Sequence, residues 1–359
     1  MVPYARGLVA AGHTVAFCVP NSFIPSVEKA GFQFLGRPDI APDKFRAVLQ
    51  GRERLSAVES NTRYVREVFG RLNLEAGLPT TRTIIRDWQP DLVVRETAEI
   101  TSLVATQESG IPLVEVAIGL LSGHKFMEPL MSQALAVEGL TAAAACFGQA
   151  ERLSAVPPSL EELAPRAGAT HRFREEQGPL AALPDWWPGS TDPLVYMTLG
   201  SEAARMGLFP MFYRALIDSV ASAPIRVLFT LGAADPAALG ALPANVHLEA
   251  WWPQDSVLAQ ASAVVAHGGY GTMVGALAAG LPSVNLPLFA FDQHANARRL
   301  EQFGAGVQLL GPDAPIALAP ALMKVLADDR MRSRAQLLKS EIAAMPPAAE
   351  AVAILERLA

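Results

Sequence analysis

The residue types best suited to chemistry lie in the second half of the chain, in the run SAVVAHGGYGTMVGALAAGLP from Ser262 to Pro282. Ala263 to Ala266 reads as a buried strand, and Thr272 to Ala279 as a helix ended by Gly280 and Pro282. His267, Gly268, Gly269 and Gly271 then occupy a strand-to-helix turn. Glycine lets a ligand approach the main chain closely, and the first turn of a helix offers unpaired N–H groups at its positive end. Such a turn suits an anion, most often a phosphate. Three further pieces place polar or aromatic groups after apolar runs: TLGS with Ser201, EAWWPQ with Trp251, Trp252 and Gln254, and LFAFDQHANARR with Asp292 and Gln293. An aromatic face for a base, N–H groups for a diphosphate, and carboxylate and amide groups for sugar hydroxyls are what a nucleotide-sugar pocket requires.

The elements that must position these groups follow an alternating α/β rhythm, the signature of parallel sheets that bind ligands at the carboxyl ends of their strands. Val2, Ala5, Leu8 and Val9 give a helical stripe ended by Gly12, and Thr14 to Val19 a strand, so the chain opens on the second half of a β-α-β unit. Residues 43–75 are charged and helical in pattern, PDLVV at 90–94 and IPLVEVAIG read as strands, and ITSLVATQESG as a helix. The Pro- and Gly-rich LPDWWPGSTDP at 183–193 is the expected linker between domains at 1–182 and 194–345. After it the rhythm restarts with strands at LVYMTLGS, IRVLFTLG and NVHLEAW and a helix over Leu208 to Ala221.

With 359 residues, 51% hydrophobic and 18% charged, the chain suits two globular domains, and its net charge of −6 provides no field to attract nucleic acid or an anionic membrane. Cys18 and Cys146 lie in apolar surroundings and read as buried free thiols of a reducing compartment. Every long apolar run is interrupted before about 18 residues accumulate, and no signal-peptide pattern opens the chain, which makes the cytoplasm the expected location.

The run from Trp251 to Gly306, with WWPQ, HGGYGT, GALAAGLPSVNLP, DQHANARR and GAGV, resembles the donor-binding signature of the UDP-glycosyltransferase superfamily. RETAE, DPLVYMTLGSEA, LPANVHLEAWWPQ and EIAAMPPAAEAVAILERL are similar to segments of actinobacterial glycosyltransferases that decorate macrolides, enediynes and other natural products. The resemblance implies an α/β GT-B fold of two facing Rossmann-like domains, with a helix at 346–359 packing back on the N-terminal one. It implies inverting, metal-independent transfer of a hexose or deoxyhexose from a dTDP- or UDP-sugar to a hydroxyl of a polyketide-like aglycone, with no cofactor. Carried onto this sequence, Trp251 stacks on the pyrimidine and Gln254 approaches the base or ribose. His267 contacts the diphosphate with the Gly268–Gly269 turn and the N–H groups of Gly269, Gly271 and Thr272, Ser201 bonds a phosphate oxygen, and Asp292 and Gln293 hold sugar hydroxyls.

In that family the acceptor hydroxyl is deprotonated by a His between the first strand and first helix. Here the helix begins at Met1, so the first strand and the base His are expected upstream, roughly 15 to 25 residues away. Glu96, at a strand end, is the expected carboxylate that orients this base; helix capping or a pair with Arg95 are its alternatives. His124 is a candidate acceptor-loop residue, while His13, His171, His247 and His294 read as structural or surface groups. A nucleotide-sugar epimerase or hydrolase on the same fold, and a non-catalytic donor-binding helper of a partner glycosyltransferase, are the competing readings. The sequence does not fix the oligomeric state, and a homodimer stays open.

Overall fold

Short Val- and Leu-rich runs form the strands, and longer runs with apolar residues three and four apart form the helices between them. A computed structural model describes residues 1–51, 54–161 and 167–359, with the side chains at 57, 122 and 124 outside the described set. The chain divides into two units: Met1–Ala155, the described part of 162–176 and Met345–Ala359 form the first, and Val156–Glu161 with Gln177–Ala344 the second.

The first unit opens with helix α1 (Val2–Ala10), strand β1 (Ala16–Pro20), α2 (Ile24–Ala30) and β2 (Gln33–Arg37). The charged segment that follows is helical, as its pattern predicts: α3 (Pro42–Leu49), then α4 (Ala57–Tyr64), which continues through a π-helical stretch at Val65–Leu72 into α5 (Asn73–Trp88). Ser56 caps α4, its hydroxyl accepting from the Glu59 N–H while the Glu59 carboxylate accepts from the Ser56 N–H. Next come β3 (Val93–Glu96), α6 (Thr101–Ser109), β4 (Leu113–Val116), α7 (Leu121–Val137), α8 (Thr141–Cys146), β5 (Glu151–Ser154) and β6 (Thr170–Arg172). All strand pairs in this unit are parallel, but they form two sheets, β1-β2 and β3-β4-β5-β6. Tyr4, Val114, Val116, Leu153, Phe173, Ala351 and Leu355 make one of its cores.

The second unit holds β7 (Leu194–Thr198), α9 (Met211–Val220), β8 (Arg226–Thr230), β9 (Val246–Glu249), α10 (Gln254–Leu258), β10 (Ala263–Ala266), α11 (Tyr270–Ala279), β11 (Ser283–Asn285), α12 (Phe291–Phe303), β12 (Gly306–Gln308), α13 (Ala314–Ala327) and α14 (Asp329–Ala344). Its six-stranded parallel sheet has the order β12-β11-β10-β7-β8-β9. Successive side chains point to opposite faces of a strand, and both faces here are covered. Val195, Met197, Val227, Phe229 and Val265 enter one core, whereas Leu194, Tyr196, Leu228, Val264 and Ala266 enter the other. The second core also takes Leu183, Trp186 and Trp187 from the 183–193 segment. The chain ends in α15 (Val352–Leu358), in the first unit. Among the described residues no helix is long and apolar enough to cross a membrane.

Candidate active site

The strand order of the second unit reverses between β7 and β10, the adjacent pair at which sequential strands run outward in opposite directions. Ligands of such sheets bind in the crevice at the carboxyl ends of those two strands. Ser201, exposed, lies just beyond β7, and His267 directly follows β10. The imidazole lies between two glycines. A Cβ on Gly200 would stand 2.7 Å from its Cε1, and one on Gly269 would overlap Nε2. Burial lowers the His267 pKa to about 4, against a hydrogen bond with the Thr198 backbone that favours the charged form, so at neutral pH the ring is uncharged.

Gly269 is the N-cap of α11, and no side chain bonds this helix end. The N–H groups of Gly271 and Thr272 come before the first bond of the helix, from the Met273 N–H to the Gly269 carbonyl, and the space beside Gly271 is open. Gly268 sits in the left-handed region, and its carbonyl accepts a 2.8 Å bond from the Asn296 amide, which α12 presents fully buried. A neutral imidazole and a fan of backbone N–H groups on one turn form a receptor for phosphate oxygens.

The other predicted donor residues surround this turn unequally. Trp251 follows β9 and is 69% exposed. Trp252 is partly buried and packs edge-on against Trp186 at 5.0 Å, which makes it part of the core. Gln254 opens α10 and leans on α11: its Oε1 lies 3.4 Å from the Thr272 hydroxyl, and a Cβ on Gly275 would stand 2.5 Å from its amide nitrogen. Asp292 lies in the first turn of α12, where burial raises its pKa. Gln293 is buried, and its Oε1 accepts from the N–H groups of Leu288, Phe289 and Ala290 at 3.0, 3.2 and 3.5 Å. It thus caps its own loop and leaves only the amide nitrogen for other duties.

In the first unit, Glu96 ends β3 and accepts a 2.7 Å bond from the Ala98 N–H. Burial pushes its pKa up to about 7. It does not pair with Arg95, whose guanidinium serves Glu115 and the carbonyls of Glu96, Thr97 and Glu99. Glu99 is held differently: burial raises its pKa, but Arg37 and the Ser102 and Thr101 hydroxyls outweigh it and bring it below the usual value. Its carboxylate accepts the Thr101 and Ser102 N–H groups at the start of α6. The segment around His124 is helical, within α7, rather than a loop, and the side chain of His124 lies outside the described set.

Several other expectations change. Cys146 is exposed rather than buried, because α8 ends there and Phe147 enters the core instead; Cys18 is half-buried, and both thiols are free. His247 is not a plain surface group: Trp186 stacks on it at 4.2 Å and Glu249 lies 2.9 Å from its Nε2. His13 is structural, with Nε2 2.9 Å from Glu356 of α15.

Residues 214–358 match the family model described as the C-terminal domain of erythromycin biosynthesis protein CIII-like proteins. The L-demethylnoviosyl transferase of Streptomyces niveus is 31% identical over 341 residues, spanning 92% of this chain and 86% of that protein. The chain belongs to this glycosyltransferase family. Two solved structures agree with its fold. The glycosyltransferase SnogD of Streptomyces nogalater is 28% identical with a TM-score of 0.71, covering 99% of this chain and 94% of the other. Glycosyltransferase VinC, solved in complex with dTDP, is 23% identical with a TM-score of 0.77, covering 100% and 95%. This glycosyltransferase therefore has the GT-B fold, as expected.

Sequence reasoning about the glycosyltransferase missed the groups that hold its turns in place. Arg95, Glu115 and Arg152 occupy matched positions on neighbouring strands β3, β4 and β5, and all three side chains are buried. Arg95 donates to Glu115 at 2.9 Å, Arg152 Nε lies 3.8 Å from Glu115, and Arg152 donates to the Gly119 carbonyl at 2.6 Å. A charged residue at the same depth in three consecutive strands was the available signal, and it becomes readable only once the register is known.

Proposed function

We propose that this glycosyltransferase moves a hexose or deoxyhexose from a dTDP- or UDP-sugar to a hydroxyl of a polyketide-like aglycone, with inversion and without a metal ion or other cofactor. The observation that carries the reading is the neutral imidazole of His267, held between Gly200 and Gly269 beside the uncapped start of α11. In an in-line displacement the bond from the anomeric carbon to the diphosphate breaks as the acceptor oxygen attacks the opposite face. Negative charge then grows on the departing phosphate. Preorganised donors aimed at that charge contribute roughly 3 kcal/mol each to the transition state. His267 and the N–H groups of Gly269, Gly271 and Thr272 fill that role, with Ser201 bonding a phosphate oxygen, Trp251 stacking on the pyrimidine and Gln254 beside the base or ribose. Asp292 and the amide nitrogen of Gln293 face the sugar hydroxyls.

The acceptor proton needs a base, which contributes about 10² to 10⁴-fold. In this reading Glu96 is the positioning group that orients the base. A buried carboxyl at the end of β3, lining a cavity and with its pKa pushed up to about 7, supports that role. Calorimetric titration tests the donor half. The chain is expected to bind dTDP and UDP, and Trp251→Ala to weaken binding about tenfold through lost stacking while leaving the melting temperature unchanged. A wild-type chain that binds neither nucleotide overturns the reading.

A further inference from the structure

The segment expected to be a linker, 183–193, and the residues just before it belong to the second unit, where they lie along the stretch that carries Trp251 and Gln254. Gly178 donates its N–H to the Asp255 carboxylate at 3.0 Å, and Ala181 donates its N–H to the Ser256 hydroxyl at 2.8 Å. Both acceptors lie in α10, and Ser256 is fully buried. Further along, the Trp186 ring stacks on His247 of β9 at 4.2 Å with the planes 17° apart, and it meets Trp252 edge-on at 5.0 Å. His247 is held in turn by Glu249, 2.9 Å from its Nε2. Leu183, Trp186 and Trp252 pack into the same core as Val257 and Leu258. Residues 178–187, which form no helix or strand, are thus fastened to β9, to the loop at 250–253 and to α10.

The stretch held in this way has little rigidity of its own. Residues 250–253 also form no helix or strand, and α10 has only five residues, too few for a helix to persist by its own hydrogen bonds. Trp252 turns into the core, whereas its neighbour Trp251 is 69% exposed. The direction in which Trp251 points therefore depends on how firmly Trp252 is seated, and Trp186 is one wall of that seat. We propose that residues 178–187 are a splint for the base-contacting stretch and that Trp186 is its positioning residue: stacked on His247, it fixes Trp252 and, through Trp252, the ring of Trp251. The inference rests on the donor reading given above and deepens it. A loop already ordered before the nucleotide arrives loses less conformational entropy on binding, so the splint raises affinity for the base without touching the ligand. Its effect is capped by what the Trp251 ring itself contributes, about tenfold.

A double-mutant cycle on the full chain, read by calorimetry with dTDP, tests the splint. Trp186→Ala is expected to weaken dTDP binding about fivefold, whereas in a Trp251→Ala chain the same change weakens it less than about twofold, because the ring it positions is gone. Trp186→Phe, which keeps a ring to stack on His247, is expected to recover most of the affinity, and Trp186→Leu, which fills the core without stacking, to recover little. Urea unfolding of each variant shows which are folded, and Trp186→Leu takes the place of Trp186→Ala in the cycle if the larger deletion unfolds the chain. A tryptophan that serves the core alone gives another pattern: stability falls while dTDP affinity holds, or the losses from Trp186→Ala and Trp251→Ala add. Either result overturns the splint and leaves the donor reading intact. A wild-type chain that binds no dTDP overturns the donor reading instead, and the splint's role falls with it.

Discussion

Adding one methyl group to Gly200 or Gly269 is the sharpest residue-scale perturbation of the donor site. Each Cβ would stand against the His267 ring, and Gly200 also has a φ of 75°, which a side chain disfavours. The ring must move, and whatever contact it makes with the diphosphate moves with it. Gly269→Ala is expected to weaken dTDP binding about tenfold or more with a loss of stability on the order of 1 kcal/mol, and Gly200→Ala to cost more of both. Calorimetry beside urea unfolding checks the pair; unchanged nucleotide affinity in both variants would remove His267 from the pocket. The same imidazole gives stability a pH dependence. Its folded pKa is about 4 against an ordinary 6.5, so the unfolded chain takes up a proton that the folded one refuses. The contribution is complete above about pH 6.5 and declines as pH falls toward 4, reaching on the order of 3 kcal/mol. Glu96 acts with the opposite sign: its pKa is raised to about 7, so its stabilisation is full below the ordinary carboxylate value of 4.5 and is lost as pH rises through 7. The two windows overlap, and the His267 contribution is isolated only by difference. His267→Gln should flatten the acid limb between about pH 6.5 and 4.5 relative to wild type, measured by urea unfolding at each pH.

At the scale of elements, the β3–α6 turn that presents Glu96 depends on a buried charge ladder. Arg95 donates to three carbonyls of that turn and is fixed by Glu115, which also faces Arg152. Removing the Glu115 carboxylate takes away the buried ion pair that Arg95 makes at 2.9 Å, a change that costs about 3–5 kcal/mol. Glu115→Ala is therefore expected to lower the melting temperature by several degrees or to prevent folding, and Glu115→Gln to recover only part of the loss by keeping a hydrogen-bond acceptor. A Glu115→Ala chain as stable as wild type would show that the ladder carries no weight. Such ladders explain what the sequence could and could not tell. The HGGYGT turn was legible because a histidine and glycines between an apolar run and a helical pattern is a local signal, and both flanking elements formed as read. The roles of Gln293 and Asn296 were not local. One caps a loop and the other holds the Gly268 carbonyl across 28 positions, and an amide at a helix start looks the same whichever it does. His247 was misjudged because its partner, Trp186, comes from a segment 61 positions earlier that packs into the same core. RETAE was legible as a strand end, but the purpose of its arginine needed the register of three strands.

Across the whole molecule, charge argues about how the donor is gripped. The chain carries a net −6, and none of the residues assigned to the donor, Ser201, Trp251, Gln254, His267, Gly268, Gly269, Gly271, Thr272, Asp292 and Gln293, is a lysine or arginine. Arg205, near Ser201 in sequence, lies 3.5 Å from Glu202, and Arg299 of α12 is bonded to the carbonyls of Ser159 and Leu160. In the proposed pocket a nucleoside diphosphate such as dTDP is held by backbone N–H groups and a neutral imidazole, against a weakly repulsive long-range field. Ordinary phosphate binding through cationic side chains weakens as salt rises. Here added salt screens repulsion instead, since the Debye length falls from about 30 Å at 0.01 M to about 8 Å at 0.15 M while contacts of short range survive. The dTDP dissociation constant is therefore expected to stay level or to tighten slightly between those two ionic strengths, measured by calorimetry in sodium chloride. A loss of affinity of about tenfold over that range would mean that a basic side chain outside the assigned set does the gripping, and the neutral pocket would have to be abandoned.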